Sequence, residues 1–524
     1  MTHTLVGPHR PVRAQDSLWL HLDRPSNRLL ITSVVWTEQP IDPDRLREVV
    51  ADRVLARFPV FLQRPVPHHT PGRPLVWETD PDFDLGRHFR VHDLPPPGDT
   101  PQLQEFVAAE RSRPFDEHHP LWVIHLLRGY RGGSAFVMRS HHAMADGIRL
   151  TQVMFSMFDP VEEEPAGPAA RVGGMAPHHE PTAHPAARFA AATLRGVDQL
   201  GLRLDEAARR LGPLAQAVVA LPALGTSAVV GAAGAAVDLA TSVLPPGPRR
   251  LVDAVSNTGV TVWHSAGSVA KLFGFKGSGR AWEGEPGEEK TAAWGDPVPL
   301  STISRISRAT GTTVNDVCTA LVAGAMDRYL ARDRPARRIP RDMTWMLPVS
   351  LSRFDAQLPP TLGNHFSLVL AHLPMGRGGF HERLAEVHRR VLRIRDSYEP
   401  VLTLVLQQLV SQSPPAVAAA LIRYFTDKAV GVLTNVPGPR SPMAVAGAKV
   451  AGVVGWAPCS GRQAITVCIF SYAGQVFFGF GTDRTLLPDP ERLVAALEAE
   501  VEEAKALAER SVIPLRRATR AKPA

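Results

Sequence analysis

Cysteine is scarce in this chain, which has 524 residues and only three cysteines, Cys318, Cys459 and Cys468. They form no CxxC pair and have no histidine partners at zinc-finger spacing. A disulfide framework is therefore excluded, and a reducing cytosol fits the composition. Residues 1–18 lack an apolar core of signal-peptide length, so secretion is not expected and a cytoplasmic location is predicted.

Aromatic residues are also few, at 6% of the chain, and no nucleic-acid recognition motif is present. Nucleic acid is therefore not expected as a partner. The formal net charge of +7 nevertheless favours anionic partners such as coenzyme A phosphates or acidic lipid surfaces. Because no basic cluster is dense enough to stand alone, an arginine-rich coding bias explains the charge equally well.

Several catalytic signatures are missing: a GxSxG elbow, a Walker lysine motif, an HExxH helix and an EF-hand loop. Residues 277–279 read Gly-Ser-Gly, but Trp282 stands where a dinucleotide-binding loop has its third glycine. Cys318 falls on the apolar stripe of a predicted helix, where a thiol nucleophile is not expected. These absences argue against covalent catalysis, a nucleotide-binding loop and a metal site.

The clearest chemical motif is the pair His141-His142, followed at a fixed interval by Asp146 and Gly147. Residues 135–140 alternate as a strand does, and two glycines before them permit a hairpin turn. Beyond Gly147, apolar residues recur at the spacing of one helix face. The histidines are therefore predicted at a strand end, in a turn that leads into a helix.

Side chains of neighbouring residues on an extended backbone point to opposite sides, so His141 and His142 cannot both address one substrate atom. At most one is a general base, and local geometry does not choose between them. Such a base contributes about 10²–10⁴-fold in rate. Asp146 is expected to fix the loop or the histidine tautomer, and Gly147 to permit a backbone that a side chain would block. The simpler alternative is two histidines satisfied in the core or at the surface.

Two other polar pairs have ordinary structural explanations. His118-His119 precede residues 120–122, and the same strand geometry makes a loop leading into a hairpin a simpler interpretation than shared metal chelation. Asn315 and Asp316 lie in the first turn of a predicted helix, off its apolar stripe. The helix dipole favours an acid at that position, so local chemistry alone assigns the pair no function.

The chain is predicted to form two αβ layers, residues 1–160 and residues 295–515. Between them lies a Pro-, Gly- and Ala-rich linker and helical connector, residues 161–294, and a basic tail follows, residues 516–524. Residues 211–237 are long enough to span a membrane, but their prolines, glycines and alanines favour a buried or interface-lying helix. One active centre is expected between the halves, because only the first has the double-histidine motif.

Local patterns also predict elements of the second half. Residues 449–456, 464–471 and 475–482 are interpreted as its final strands. Residues 435–439 contain asparagine, glycine and two prolines, which is turn chemistry.

Taken together, several motifs resemble the bacterial wax ester synthase/diacylglycerol acyltransferase family, within the wider group of chloramphenicol acetyltransferase and peptide-synthetase condensation domains. They occur in the family's order and cover nearly all of the chain except residues 165–295. Besides the double-histidine motif, they are Pro120-Leu121-Trp122, Asn315-Asp316, Leu347-Pro348-Val349-Ser350, Gly363-Asn364 and Thr434-Asn435-Val436-Pro437-Gly438-Pro439.

The resemblance implies an α/β (α+β) fold of two chloramphenicol-acetyltransferase-like αβ sandwich domains with the active channel between them. It implies an acyl-CoA-dependent O-acyltransferase that transfers a long-chain fatty acyl group to diacylglycerol, to a long-chain alcohol, or to both. Acyl-CoA is then a co-substrate, and no cofactor is expected. Peripheral contact with a membrane or lipid-droplet surface is expected as well.

The resemblance also assigns roles to residues. His142 is the expected base and His141 supports it, while Asp146 positions the loop with Gly147. Substrate-binding roles are expected for Asn315, Asp316, Pro120, Leu121 and Trp122.

One segment departs from the family pattern. Many members have an apolar and glycine segment leading to an Asn-Ile pair, whereas residues 456–465 here read Trp-Ala-Pro-Cys-Ser-Gly-Arg-Gln-Ala-Ile. The acceptor alcohol is therefore open. Two alternatives to the acyl-CoA reaction are a condensation-type enzyme that uses a carrier-protein thioester and a non-catalytic lipid-surface protein.

Overall fold

The computed structural model describes the chain in several segments. The described residues are 9–70, 75–161, 282, 284–333, 340–350, 358–364, 366–376, 378–395, 403, 407, 410 and 415–510. The predicted connector lies outside them from residue 162 to residue 281, and so does the predicted basic tail, residues 516–524.

The first large sheet contains seven strands within these ranges. In spatial order they are β5 (Phe89–Asp93), β6 (Trp122–Tyr130), β7 (Gly133–His141), β2 (Leu30–Thr37), β15 (Ala448–Trp456), β14 (Met443–Val445) and β8 (Phe158–Pro160). Strands β6 and β7 form the predicted hairpin, with Arg131 and Gly132 at positive φ in its turn.

Both faces of this sheet are covered, so every residue of β7 is buried. Phe136 and Met138 pack into one apolar core, and Ala135 and Val137, which point the other way, pack into another. The strand that ends at His141 is therefore held rigidly from both sides.

The second large sheet also has seven strands in the described part of the chain. They are β10 (Val298–Pro299), β17 (Gln475–Asp483), β16 (Ile465–Tyr472), β13 (Gly431–Pro437), β11 (Asp342–Ser350), β12 (Phe366–Pro374) and β9 (Lys290–Trp294), the last paired with β17. A small third sheet joins β1 (His9–Pro11), β4 (Val76–Thr79) and β3 (Gln63–Val66).

Helices cover the sheets. Their bounds are α1 (Ala14–Leu22), α2 (Pro43–Val50), α3 (Leu85–His88), α4 (Thr100–Ser112), α5 (Gly147–Ser156), α6 (Leu300–Thr310), α7 (Val314–Asp333), α8 (Phe380–Arg395), α9 (Pro415–Thr426) and α10 (Pro490–Arg510). Leu321 of α7, Leu384 of α8 and Leu497 of α10 share one core with Phe478 and Phe480 of the second sheet. The structure thus confirms the predicted two αβ layers. Among the helices of the described segments, none is both long enough and apolar enough to cross a membrane.

The division at residue 295 differs from the sheet membership in two places. Residues 449–456, predicted as part of the second half, lie in β15, which pairs antiparallel with β2 of the first sheet. Strand β9, inside the predicted connector, pairs with β17 of the second sheet. Alternation along one segment predicts a strand but does not identify its partner, which is a long-range choice. The second half therefore supplies β15, together with β14 beside it, to the first sheet, and these strands join the two halves.

The predicted turn at residues 435–439 is also wrong in part. Asn435, Val436 and Pro437 continue strand β13, whose backbone pairs in parallel with β16 through Pro437. Pairing with β16 inside the sheet therefore outweighs the turn-favouring composition of these residues.

Candidate active site

A cavity of about 230 Å³ lies between the two halves. His142, Asp146 and Gly147 of the first half line it, and Phe366 and Asn435 of the second half face them. Most of the other lining side chains are apolar, including Leu29, Ile31, Met346, Leu368 and Val432. The predicted channel between the halves is therefore present, with the double-histidine turn in its wall.

His141 is fully engaged away from this cavity. Its Nδ1 accepts the backbone amide of Ala143 at 3.1 Å, and its Nε2 lies 3.3 Å from Asp23 Oδ2. Because a backbone amide can only donate, Nδ1 is an acceptor and the proton of the neutral ring resides on Nε2, facing Asp23. His141 therefore has no free nitrogen with which to take a proton from a substrate.

His142 is the histidine that faces the cavity. Its ring stacks on Trp19 at a centroid distance of 4.4 Å and lies 5.4 Å from Phe366. Its backbone is fixed on both sides: the amide donates to the carbonyl oxygen of Leu29, and its own carbonyl accepts Asn364 Nδ2, both at 2.8 Å. The ring is thus placed by main-chain contacts, not by a carboxylate partner.

Burial gives His142 an unusual protonation equilibrium. Its exposure is only 6%, and Nδ1 has no hydrogen-bond partner in the described part of the chain. Burial lowers the pKa of His142 to about 4, opposed in part by its own carbonyl and by the Asn364 side chain, which favour the charged ring. The imidazole is therefore neutral at neutral pH and able to accept a proton.

Asn364 joins three parts of the site. Its Nδ2 donates to His142 O and to Asp16 Oδ1, each at 2.8 Å, and its backbone amide donates to the same Asp16 oxygen at 3.1 Å. Burial raises the pKa of Asp16 to about 6, although these hydrogen bonds oppose the change. Helix α1, the loop before β12 and the histidine turn are therefore held together by one buried polar cluster.

Asp146 orders the turn, as predicted for a positioning residue. Its Oδ1 accepts the amide of Arg149 at 3.0 Å and so caps α5. Arg149, itself buried, donates from Nη1 to the carbonyl oxygen of Leu362 at 2.7 Å. The backbone of Ala145 also bridges to Gly363. These two links, together with the bond from Asn364 Nδ2 to the carbonyl oxygen of His142, fasten the histidine turn to the loop that contains Asn364.

Gly147 does not have the expected role. It begins α5 without a positive φ, and a Cβ added there would meet no atom within 4 Å. The expectation that its backbone would exclude a side chain is therefore wrong. Gly363 is the glycine that the backbone requires, because its φ is +92° and an added Cβ would lie 3.2 Å from Asp16 Oδ2.

The segment Pro120-Leu121-Trp122 lies in the core and does not line the cavity of His142. The carbonyl oxygen of Leu121 accepts the amide of His141 at 2.9 Å. Trp122 donates from Nε1 to the carbonyl oxygen of Phe61 at 2.7 Å and pairs with Ser140 across the hairpin. The structure therefore places this segment beside the histidine turn and outside its cavity, and the expected substrate-binding role stays a prediction.

Asn315 and Asp316 face different surroundings. Asn315 Oδ1 accepts Nδ2 of Asn435, a cavity residue, at 2.8 Å, so Asn315 stands one hydrogen bond behind the cavity wall. Asp316 is buried, accepts the amide of Thr313 at 2.9 Å and lies 2.7 Å from His388 Nδ1. Asp316 therefore caps α7 and anchors α8 and does not line the cavity.

Sequence reasoning assigned no role to four residues that build the site: Asp16, Trp19, Asn364 and Phe366. Asn364 belongs to the Gly-Asn pair of the resemblance, to which no role was attached, and Asp16 and Trp19 belong to no motif named above. Phe366 had no distinguishing signal, because its neighbours are those of any apolar strand. These residues converge only when α1 and the start of β12 approach the histidine turn.

A second apolar cavity, of about 100 Å³, adjoins the first. The two share four lining residues, Trp19, Met346, Leu368 and Ser460. Beyond that shared wall the second cavity runs along α1, β12 and α9, where its lining is mainly Leu18, Leu370, Val410, Ile422 and Phe425. Apolar volume therefore continues away from His142 past the Trp19 ring.

The fold is that of two-domain acyltransferases related to condensation domains. A wax ester synthase/diacylglycerol acyltransferase from Marinobacter aquaeolei VT8 superimposes with a TM-score of 0.60 at 21% identity, over 95% of this chain and all of that one. The first condensation domain of the calcium-dependent antibiotic synthetase, in complex with a substrate analogue, gives 0.52 at 13% identity, over 97% of this chain and 98% of that one. At these identities the likeness establishes the fold.

Family membership is established by two domain matches. The wax ester synthase/diacylglycerol acyltransferase catalytic domain matches residues 12–318, and the C-terminal domain of the same family matches residues 362–505. The chain belongs to the wax ester synthase/diacylglycerol acyltransferase family and is an acyltransferase. The probable diacylglycerol O-acyltransferase tgs1 of Mycobacterium tuberculosis is 27% identical over 446 residues, 84% of this chain and 83% of that protein.

Proposed function

We propose that this protein transfers a long-chain acyl group from acyl-CoA to the hydroxyl of diacylglycerol, of a long-chain alcohol, or of both. The observation that carries the proposal is the neutral, buried imidazole of His142 in the wall of an apolar cavity. A lipid alcohol suits such a lining, and the mycobacterial relative is named for diacylglycerol. Acyl-CoA is a co-substrate in this scheme, and no separate cofactor is proposed.

His142 acts as the general base. Its Nδ1 is enclosed by protein, so Nε2 is the nitrogen assigned to the substrate hydroxyl. As Nε2 takes the hydroxyl proton, the oxygen attacks the thioester carbonyl and a tetrahedral intermediate forms. The intermediate collapses with cleavage of the carbon–sulfur bond, and the imidazolium returns the proton to the departing thiolate. The products are the ester and free coenzyme A.

The cationic ring and the oxyanion are both transient charges in an apolar cavity. Asn435 is a proposed donor to the oxyanion, since one hydrogen of its Nδ2 is bound by Asn315 and the other has no partner among the described contacts. This arrangement gives Asn315 the role of orienting Asn435. His141 and Asp146 are proposed to keep the turn in place, through Asp23 and Arg149 respectively.

The two adjoining cavities suit hydrocarbon chains. The 230 Å³ cavity holds the reacting ends, and the 100 Å³ extension past Trp19 receives one of the chains. Peripheral contact with a membrane or lipid-droplet surface is proposed because both acceptor classes are lipids that reside there. Flotation of the purified protein with lipid-coated droplets tests that contact separately from turnover.

The deciding experiment incubates purified protein with palmitoyl-CoA and either hexadecanol or dipalmitoylglycerol, and follows thiol release together with ester formation. His142→Ala is expected to lose about 10²–10⁴-fold in kcat, the range for removal of a general base. His118→Ala, an exposed histidine outside the cavity, is the matched control and keeps the wild-type rate.

Three results would contradict the proposal. Absence of ester with both acceptors would remove the acceptor assignment. Activity with a carrier-protein thioester but not with palmitoyl-CoA would make the donor a carrier protein. Full activity of His142→Ala would remove the mechanism.

A further inference from the structure

A second depression, of about 410 Å³, lies at the edge of the first sheet, around the start of β6 and the end of β7. Among the described residues, it shares no lining residue with the cavity of His142. Of its thirteen described lining residues, four are arginines, three are histidines and one, Asp116, is acidic. Such a composition at one place points to an anionic ligand.

The positive charge of this depression is only partly neutralised by protein groups. Glu110, behind the wall, pairs with Arg113 and with Arg139, each at 2.8 Å. Arg87 and Arg90 have no carboxylate partner in the described part of the chain: Arg87 Nη1 donates to His119 Nε2, and Arg90 Nε donates to the carbonyl oxygen of Arg87. Two guanidinium groups are thus left to bind an anion.

The floor of the depression is built and buried. Arg139 is 2% exposed and is held by Glu110 and by the carbonyl oxygen of Arg113, with its guanidinium over the Phe115 ring. Its Nε, however, is buried without a hydrogen-bond partner among the described residues. An unpaired charged donor of this kind costs free energy unless a ligand or water accepts its hydrogen.

The floor also offers one unpaired acceptor, on His88. Its Nδ1 lies 2.8 Å from the carbonyl oxygen of Trp122, and since a carbonyl only accepts, Nδ1 holds the ring proton. Nε2 is therefore an acceptor, and it is buried with no partner in the described residues. The ring is fixed between Phe83 and Trp122, at centroid distances of 5.2 and 4.8 Å, so it cannot turn away easily.

We propose that this depression binds a phosphate monoester. Arg87, Arg90 and Arg139 hold its anionic oxygens, and a sugar hydroxyl beside the ester donates to His88 Nε2. Inorganic phosphate keeps one hydrogen near neutral pH and can make the same hydrogen bond, whereas sulfate has no hydrogen to give to the unpaired acceptor. The 3′-phosphate of coenzyme A and a separate phosphate ester have the same chemistry, and binding measurements distinguish them.

The test measures equilibrium binding by calorimetry and requires no turnover, so its result does not depend on the proposed acyl transfer. The probes are adenosine 3′,5′-bisphosphate, coenzyme A, dephospho-coenzyme A and inorganic phosphate, with sulfate as competitor. Arg87→Gln combined with Arg90→Gln is expected to weaken adenosine 3′,5′-bisphosphate at least about tenfold, the loss that one charge-assisted hydrogen bond produces. Arg305→Gln combined with Arg308→Gln removes the same charge from exposed positions of α6 and keeps wild-type affinity.

The probes identify the source of the phosphate. If coenzyme A binds more tightly than dephospho-coenzyme A and the Arg87/Arg90 variant abolishes the difference, the ligand is the 3′-phosphate of the donor. If those two bind alike while adenosine 3′,5′-bisphosphate or inorganic phosphate depends on the arginines, the ligand is a separate phosphate ester. Any of three results would overturn the proposal: none of the four probes binds saturably, both double variants weaken binding equally, or sulfate competes as well as phosphate does.

Discussion

Replacing Asn364 by alanine tests how the general base is held. The substitution removes both Nδ2 hydrogen bonds, one to His142 O and one to Asp16 Oδ1. Asp16 keeps the backbone amide of residue 364 as a donor, but the His142 carbonyl loses its contact with the second half. The turn that places the imidazole should therefore become free to shift relative to Trp19 and Phe366.

The size of the effect follows from these contacts. Each buried acceptor left without its donor costs about 1–3 kcal/mol, and Asp16 remains partly satisfied. A total loss of about 3 kcal/mol in the free energy of unfolding is expected. Because a displacement of about 1 Å in a reacting group can cost about 10²-fold in rate, kcat should fall by about that factor while KM changes little.

Urea unfolding followed by circular dichroism measures the first effect, and ester formation from palmitoyl-CoA measures the second. Asn27→Ala is the matched control, because Asn27 is also buried and donates from Nδ2 to a backbone carbonyl, that of Gly461, at 2.7 Å. It should lose stability but keep kcat. If Asn364→Ala has the same kcat as Asn27→Ala, the hydrogen bond to His142 does not position the base.

Three further predictions concern the same site. Since burial lowers the pKa of His142 to about 4, kcat/KM should decrease on the acid side near pH 4, and not near the ordinary histidine pKa of about 6.5. A decrease near pH 6.5, while circular dichroism shows that the protein is still folded, would contradict a pKa lowered by burial. Gly147→Ala should leave the melting temperature unchanged. Gly363→Ala, at φ +92°, should lower the free energy of unfolding by about 1–2 kcal/mol. Equal losses in the two variants would show that the backbone at residue 363 does not require glycine more than residue 147 does. Trp122→Phe should cost about 1–3 kcal/mol through the lost donor to Phe61, with KM for the acceptor alcohol unchanged. A raised KM for the alcohol would restore a role for Trp122 in binding that substrate.

The hydrogen bonds of His141 explain why only one histidine of the pair is reactive. Alternation along the strand already predicted that the two rings face opposite sides. The structure adds that both nitrogens of His141 are engaged, by Ala143 and Asp23, whereas His142 faces the cavity, where its Nε2 is the nitrogen assigned to the substrate. His141 therefore has a structural role, and its hydrogen bonds help to hold in place the backbone of His142.

Neighbouring residues of one motif of the resemblance lie in different surroundings. Asn315 reaches the cavity wall through Asn435, but Asp316 turns to His388. Two adjacent residues in the first turn of a helix point about 100° apart, so shared membership of a motif does not give them a shared environment. Leu121 similarly lies beside the histidine turn yet faces the core, whereas its neighbours Pro120 and Trp122 line the arginine-rich depression.

The sequence by itself determined the local elements around the chemistry. Glycines 132 and 133 permit the hairpin, alternation produces the strand that ends at His141, and Asp146 caps the helix that follows. These features depend on residues within one or two turns of each other, where backbone preferences and side-chain periodicity act directly. The motif order along the chain was likewise sufficient for the family.

Only the tertiary structure decided which residues meet at His142. Asp16 and Asn364 are 348 positions apart, and strand β15 joins β2 across more than 400 residues. Such contacts depend on which faces bury one another and which strands pair, and these long-range choices leave no periodic mark on either segment. The low pKa of His142 also depends on long-range contacts, because the ring is buried by the two assembled halves and not by the motif itself.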